Sequence, residues 1–457
     1  MGRSYAWLLL LPALACASIT FEQRWHWFIA DVGRSAAQLS DGGYVVSGGT
    51  QVTTNSFGVV LARTDSLGDT VSVHHILNAD QDGGFSCRLS DGGYAVLAES
   101  GGRIFVRKFN QAGDSVWDYR STWGGPISAI IPTFDGGCLV AGRIPDTSLD
   151  MGAIKLAADG HEEWARWYDE PRMFDSWAHG AAQTRDSGYI LCGEANNYSS
   201  TNMRLARLSP NGDSAWTRLY SGPVGPMLNA VVETPDNGFL AAGYEFDTLS
   251  SLDALYLLRT DSAGNLLWTH DIAVPGAATQ AAALRPTSDG GYVVVGQIDW
   301  TDSARVWLLK TDANADTVWT RILGGPGKET GADVEQTTDG GYVVVGTSDS
   351  AGGSVLIIKT DSLGLVGVEE SRPAPVTDPV LTVIPNPGHN RISVRYSPLL
   401  PRLASLRLYD MTGRMCRSWQ ATGPSGCELD VTGLAPGVYL LRLKSDDINA
   451  TRKLVIR

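Results

Sequence analysis

The chain has 457 residues, 43% of them hydrophobic, enough apolar material for a packed core and for more than one domain. Its net charge of −13 comes with no block of Lys or Arg, which argues against a nucleic-acid surface. Past the N-terminus no unbroken apolar run reaches the roughly 18 residues of a membrane-spanning helix.

Residues 1–17 read as a signal peptide. Arg3 supplies the positive start, Ala6 to Leu14 the apolar segment, and Ala15-Cys16-Ala17 the small-residue cleavage site. The rival reading is a lipoprotein box, Ala13-Leu14-Ala15-Cys16, with Cys16 acylated. Both send the chain out of the cytoplasm.

From Asp41 onward one pattern recurs. Asp-Gly-Gly-Tyr stands at Asp41, Asp91, Asp289 and Asp339, with weaker copies at Asp135, Asp186 and Asp236. The copies are 44–53 residues apart, a period that marks stacked or circular repeats. Within a copy, an apolar run follows the turn (Tyr342-Val343-Val344-Val345). A second comes about ten residues on (Val355-Leu356-Ile357-Ile358), and a turn such as Asp361-Ser362-Leu363-Gly364 ends it. A last strand carries Trp117, Trp164, Trp216, Trp268 or Trp319, with Ser72 at that place in the first copy. Four antiparallel strands per copy make one propeller blade. The expected fold is all-β, a seven-bladed β-propeller over residues 18–364 plus a C-terminal β-sandwich. The seventh copy lacks a Trp strand, so Ile19 to Trp27 is expected to complete it and close the ring, with Phe21 or Trp25 at the Trp position.

Residues 365–378, with Pro373, Pro375 and Asp378, read as a linker. Residues 379–457 form short alternating strands at regular spacing, the signal of a small sandwich. Its opening Ile384-Pro385-Asn386-Pro387, its centre Leu408-Tyr409-Asp410 with Gly413-Arg414, and its strand Leu434-Ala435-Pro436-Gly437-Val438-Tyr439 stand in order before a basic-apolar end. This segment resembles the C-terminal sorting domain of type IX secretion. The resemblance implies export across the outer membrane, handling by the type IX machinery, and release or attachment at the cell surface. The repeats are similar to those of secreted bacterial propeller proteins with the same tail, a likeness of architecture and not of chemistry.

Of the six cysteines, Cys416 and Cys427 are placed on neighbouring tail strands where they could pair. Cys87, Cys138 and Cys192 stand at strand positions that suit buried thiols. The stretch Thr260 to Trp268 resembles the Asp-box of sialidase-type propellers and the Trp repeat of quinone-dependent dehydrogenase propellers, where such repeats are structural turns. A repeated Asp is a turn residue, because a catalytic site is needed once. No Gly-x-Ser-x-Gly elbow, phosphate loop, Cys-x-x-Cys or EF-hand loop is present, and His161-Glu162-Glu163 lacks a second His. No catalytic residue, metal or cofactor is expected, and the chain is expected to be a monomer.

The short turns share one face of the ring. The opposite face carries the loops that vary most in this sequence, where binding residues collect. Its aromatic and polar residues are the candidate contacts: Trp123, Asp175, Trp177, Asn196, Asn197, Tyr198, Phe246, Asp247, Asp299 and Trp300. They suit a glycan or a protein partner. A catalytic alternative, a polysaccharide hydrolase or lyase, needs paired carboxylates roughly 5–9 Å apart, with Asp175, Asp247 and Asp299 converging.

Overall fold

The structure, a computed structural model, describes residues 19–366 and 381–456. Excepted are 28, 54–55, 78–82, 123, 146–148, 169–174, 197–199, 222–224, 248–250, 326, 350–351, 385–387, 397–404, 411–413, 421–425 and 445–448. The expected signal peptide and most of the expected linker lie outside the described residues. The chain divides into two compact units, Met1–Gly367 and Val368–Arg457.

The first unit is a seven-bladed β-propeller of four-stranded antiparallel blades. In blade one the strands run from inner to outer as Ala30–Gln38, Tyr44–Thr53, Ser56–Thr64 and Thr70–Leu77. Blades two to six repeat this order, their inner strands being Phe85–Arg88, Ile127–Pro132, Asp175–Gln183, Met227–Glu233 and Ala278–Pro286. Blade seven combines Glu329–Gln336, Tyr342–Ser348 and Ser354–Thr360 with Phe21–Trp25 as its outer strand. A single parallel bridge, Leu149 with Asp175, joins the sheets of blades three and four. Second strands such as Tyr342-Val343-Val344-Val345-Gly346 are buried on both faces because each blade is stacked between two others.

The repeated Asp folds the first turn. Asp339 Oδ1 accepts the Gly341 amide at 3.1 Å and the Thr337 hydroxyl at 2.5 Å. The next residue takes a left-handed φ, +81° at Gly340; Ser187 and Asn237 hold that place at 67° and 63°. A Cβ on the second glycine, Gly341, would run into the Thr360 carbonyl. The same seven Asp carboxylates each pair with a Lys or Arg from the third strand of their own blade, at 2.5–3.0 Å. The Asp is thus structural, as its repetition predicts.

Directly opposite that Lys or Arg stands the fourth-strand Trp: Trp117, Trp164, Trp216, Trp268 and Trp319 face Lys108, Lys155, Arg207, Arg259 and Lys310. Blade seven has Phe21 opposite Lys359, which assigns the Trp position to Phe21 rather than Trp25. Blade one has Ser72 there, and His74 fills the space two residues on, its Nε2 lying over Gly113. A hydrophobic cluster lies between each adjacent pair of blades. The one between blades seven and one holds Phe21, Tyr44, Val46, Val343 and Ile357. Cys87, Cys138 and Cys192 are buried thiols of such clusters, their pKa values pushed up by burial.

The second unit is a β-sandwich. One sheet orders Leu381–Ile384, Arg391–Tyr396 and Gly426–Asp430; the other orders Met415–Gln420, Ser405–Asp410, Gly437–Lys444 and Asn449–Ile456. Ile392, Leu406, Leu441 and Leu454 form its core with other buried residues of both sheets. Cys416 and Cys427 are not on neighbouring strands. Gly426–Asp430 pairs with Arg391–Tyr396 instead of Met415–Gln420, so the two thiols sit in different sheets and form no disulfide with each other.

Candidate functional site

Inner strands line the ring's central channel, and in six blades each carries a β-bulge at one position. The register skips Arg34, Ser128, His179, Asn229, Ala282 and Ala332. Each lies seven residues before its repeat Asp. A bulge re-aims the side chain it leaves unpaired. All six residues line a narrow central cavity of about 110 Å³; the bulge residues are polar in blades one, three, four and five and alanine in blades six and seven, where Arg285 and Asp333 also line the cavity.

Above this constriction the inner strand of blade four alternates Asp175, Trp177 and His179 on its less buried side, with Ser176, Ala178 and Gly180 inside the blade. The three residues form a chain of contacts. Asp175 Oδ1 lies 3.1 Å from Arg143 Nε, and the Arg143 guanidinium is 5.9 Å from the Trp177 ring centroid. Trp177 stacks on His179 with centroids 5.1 Å apart, and His179 Nε2 is 3.9 Å from Glu194 Oε1. These atoms attract but do not align. Arg143 Nε, Asp175 Oδ1, Trp177 Nε1, His179 Nε2 and Asn196 Oδ1 are all buried without a hydrogen bond inside the described chain. Burial raises the Asp175 carboxyl above its ordinary pKa, Arg143 opposes the rise, and Glu194 and Asp150 add to it.

Across the rim a second polar chain runs through blades five and six. Gln280 Nε2 donates to Asp253 Oδ2 at 2.6 Å, and Gln297 Nε2 donates to Asp299 Oδ2 at 2.7 Å and to Gln280 Oε1 at 3.3 Å. The Asp299 carboxyl is also raised, by burial first, with Gln297 and Lys328 opposing and Asp253 adding. Tyr244 stands between the two chains, within electrostatic reach of both Asp253 and Glu194.

Among the expected contacts, Asp175, Trp177 and Asn196 belong to this upper rim on blade four, and Asp299 to its blade-six side. Phe246 is half-buried on the second strand of blade five, opposite Asp253, and Trp300 is exposed at the end of its strand. Trp123, Asn197, Tyr198 and the Asp247 side chain lie outside the described residues. Asp175 and Asp299 have separate partners and are not brought together. Reading from sequence missed Arg143, His179, Glu194, Tyr244, Asp253 and Gln280. The fixed offset of seven before each Asp would have flagged His179 and Arg34. Among the described residues no cluster of His, Cys, Asp or Glu could hold a metal ion, and no helix is long and apolar enough to cross a membrane.

At the opposite mouth a wider cavity of about 590 Å³ opens between the Asp-Gly-Gly turns. Arg88, Arg185 and Arg285 line it with Glu233, Asp333 and Glu335 over an apolar wall. Arg285 pairs with Asp333 at 2.8 Å, and burial pushes the Glu335 carboxyl up to about 7.

Residues 382–457 match the family of secretion system C-terminal sorting domains. The tail is a sorting domain. It marks this propeller for the type IX machinery and hence for secretion or display at the cell surface. A search of curated proteins returned no match. Among solved structures, a protein of unknown function from Bacteroides caccae is 11% identical, covering 64% of this chain and 93% of its own, with a TM-score of 0.38. The inactive H270A variant of virginiamycin B lyase from Staphylococcus aureus, with quinupristin, is also 11% identical. It covers 75% of this chain and 99% of its own at a TM-score of 0.47. Identities this low say nothing of activity.

Proposed function

We propose that this exported propeller is an extracellular binding module, and that its recognition site is the upper channel mouth on blades three to six. The ligand is a glycan or a protein segment. One observation carries the reading. Buried polar atoms normally have partners, and those without one call for a ligand or water. Here Arg143, Asp175, Trp177, His179 and Asn196 gather such atoms on one edge of one opening. They offer both donors and acceptors, so a hydroxyl-rich or peptide ligand would satisfy them. Trp177 already carries His179 on its ring, so it contributes its Nε1 donor more than a stacking face.

Glycan and peptide arrays probed with the mature chain, with product analysis of each bound polymer, test this. Retention without cleavage is the expected result; absence of any retention contradicts it.

A second reading rests on Asp175. A carboxyl raised by burial, with Glu194 within electrostatic reach, is the pattern of an acid catalyst beside a second carboxylate. In that reading the protein hydrolyses or eliminates a polysaccharide, and Asp175→Asn abolishes product release while leaving retention intact. The Arg143 pairing, which favours the ionised form of Asp175, makes this the weaker reading.

The tail carries its own test. Removing Leu381–Arg457 should leave the propeller in the periplasm; normal secretion would refute its sorting role in this chain.

A further inference from the structure

At the mouth between the Asp-Gly-Gly turns, four inner-strand residues break the pattern of the repeat. Four places before the repeat Asp stand Ala37, Cys87, Ile131, Ala182 and Val232 in blades one to five, but Arg285 and Glu335 in blades six and seven. Six places before it, blades one to six carry a small or apolar side chain, and blade seven carries Asp333. Three places before it, four blades carry a side chain that accepts a backbone N–H from the preceding blade's turn. Gln183 accepts from Phe134, Glu233 from Arg185, Gln336 from Ser288 and Gln38 from Thr338, at 2.7–2.9 Å. Blade two has Arg88 at that place, and a guanidinium accepts nothing. All four exceptions line the cavity of about 590 Å³ at this mouth.

None of the four belongs to the pairs that fold the repeat turns, so the repeat does not require them. Charge in such a wall is costly unless it is matched. Arg285 is matched by Asp333 at 2.8 Å, and at the rim Arg185 Nε lies 4.0 Å from Glu233 Oε2. Arg88 makes no ion pair among the described residues. Its Nη1 donates to the Gln38 carbonyl at 2.7 Å, which uses one of its five N–H groups. The Glu335 carboxyl feels both Arg88 and Arg285, so the two guanidinium fields meet there; Asp333 opposes them, and the Gln38 N–H donates to the same carboxyl. Burial outweighs these cations and holds Glu335 up at about 7, so near neutral pH it cancels Arg88 only in part. Ile131, Pro132, Val232 and Pro286 supply an apolar wall, and Phe134 at the rim is 67% exposed, the most of any large apolar side chain described.

We propose that this mouth binds a small organic acid, one carboxylate on an apolar body, with the carboxylate held between Arg88 and Arg285. The cavity volume falls within the roughly 300–1,000 Å³ of small-molecule sites. A carboxylate takes charge-assisted hydrogen bonds from guanidinium groups, and the apolar body covers the aliphatic wall and Phe134. One monoanion balances the one unmatched guanidinium when Glu335 is protonated. An ionised Glu335 competes for the same cations and repels the ligand, so binding weakens as pH rises through about 7. The site is at the far end of the channel from the upper mouth and does not rest on the function proposed for that mouth.

Saturation-transfer NMR titrations of the mature chain with 3-phenylpropanoate and hexanoate test the site, with 3-phenylpropanamide as the uncharged control. At least one acid should receive saturation from the native protein, and the amide far less. Arg88→Gln keeps a donor for the Gln38 carbonyl and should weaken the acid's affinity at least tenfold. Arg285 is left in place, because its loss would strand the buried Asp333. The native affinity should fall roughly tenfold from pH 6 to pH 8, and Glu335→Gln should bind at pH 8 as tightly as the native chain does at pH 6. No transfer to either acid, equal transfer to the amide, an affinity unchanged in Arg88→Gln, or one the same at pH 6 and pH 8 overturns the proposal.

Discussion

Phe21 meets Tyr44 edge-on, ring centroids 5.7 Å apart and planes at 70°, and so joins the outer strand of blade seven to blade one. The geometry matches Trp319 on Tyr342 between blades six and seven, at 5.7 Å and 70°. A strand from the N-terminal end of the propeller thus makes the contact that elsewhere follows in sequence. Phe21 is 2% exposed, and its truncation leaves a cavity at this junction. Phe21→Ala should cost about 3–5 kcal/mol in urea unfolding, and Phe21→Trp should be far milder. A loss below about 1 kcal/mol for the alanine variant would mean that Phe21–Trp25 does not hold blades seven and one together.

Lys359 and Asp339 make an asymmetric pair. The Lys359 side chain is 1% exposed and donates to both Asp339 oxygens at 3.0–3.1 Å and to the Thr360 carbonyl at 2.7 Å, whereas Asp339 is 35% exposed. Removing the acid strands a buried ammonium; removing the base leaves a carboxylate that water can reach. Asp339→Ala should therefore destabilise by about 3 kcal/mol, clearly more than Lys359→Met. Equal losses in chemical denaturation would show that burial of the charge is not what matters.

Acid should loosen the propeller through the repeat carboxylates. Asp289 is held down to about 2 from 3.8, first by the Thr287 hydroxyl and then by Lys310. A depressed carboxylate stabilises above its unfolded pKa, and that stability is lost as pH falls through the folded value. The melting temperature should fall between about pH 4 and pH 2, and less steeply in Asp289→Asn. An unchanged slope would detach this turn from acid stability.

Glu335 has the opposite sign. Its carboxyl is raised from 4.5 to about 7, chiefly by burial, so the native state keeps a proton that the unfolded chain releases. Stability from this group falls as pH rises from 4.5 to 7. Glu335→Gln should flatten the profile in that window and raise the melting temperature above it. The amide oxygen can still accept the Gln38 N–H that Glu335 now accepts at 3.2 Å. A variant less stable at pH 8 than the native chain would refute this.

The repeat was legible because its turns demand residue types. Asp41, Gly42 and Gly43 recur for backbone reasons, and the Trp strand recurs because every blade packs on the next. The Lys and Arg partners were not legible. Lys359 and Arg207 follow their Asp by about 20 residues, on strands where a charged side chain reads as solvent-facing. The channel ring was hidden for a related reason. A bulge at His179 or Arg34 breaks the two-residue alternation that reveals which face a side chain takes. Asp175 and Trp177 were found because they begin an inner strand at the variable-loop face. Arg143 and Glu194, which give them their electrostatics, come from other strands that only the fold brings near.

The upper mouth is the proposed recognition site. The most direct measurement is the affinity of the native chain, Trp177→Ala, His179→Ala and Arg143→Ala for one glycan or peptide retained on the arrays. Each variant should weaken binding at least tenfold, about 1.4 kcal/mol, with the melting temperature little changed and no product released. Affinity unchanged in all three would rule out the upper mouth and place recognition elsewhere on the propeller.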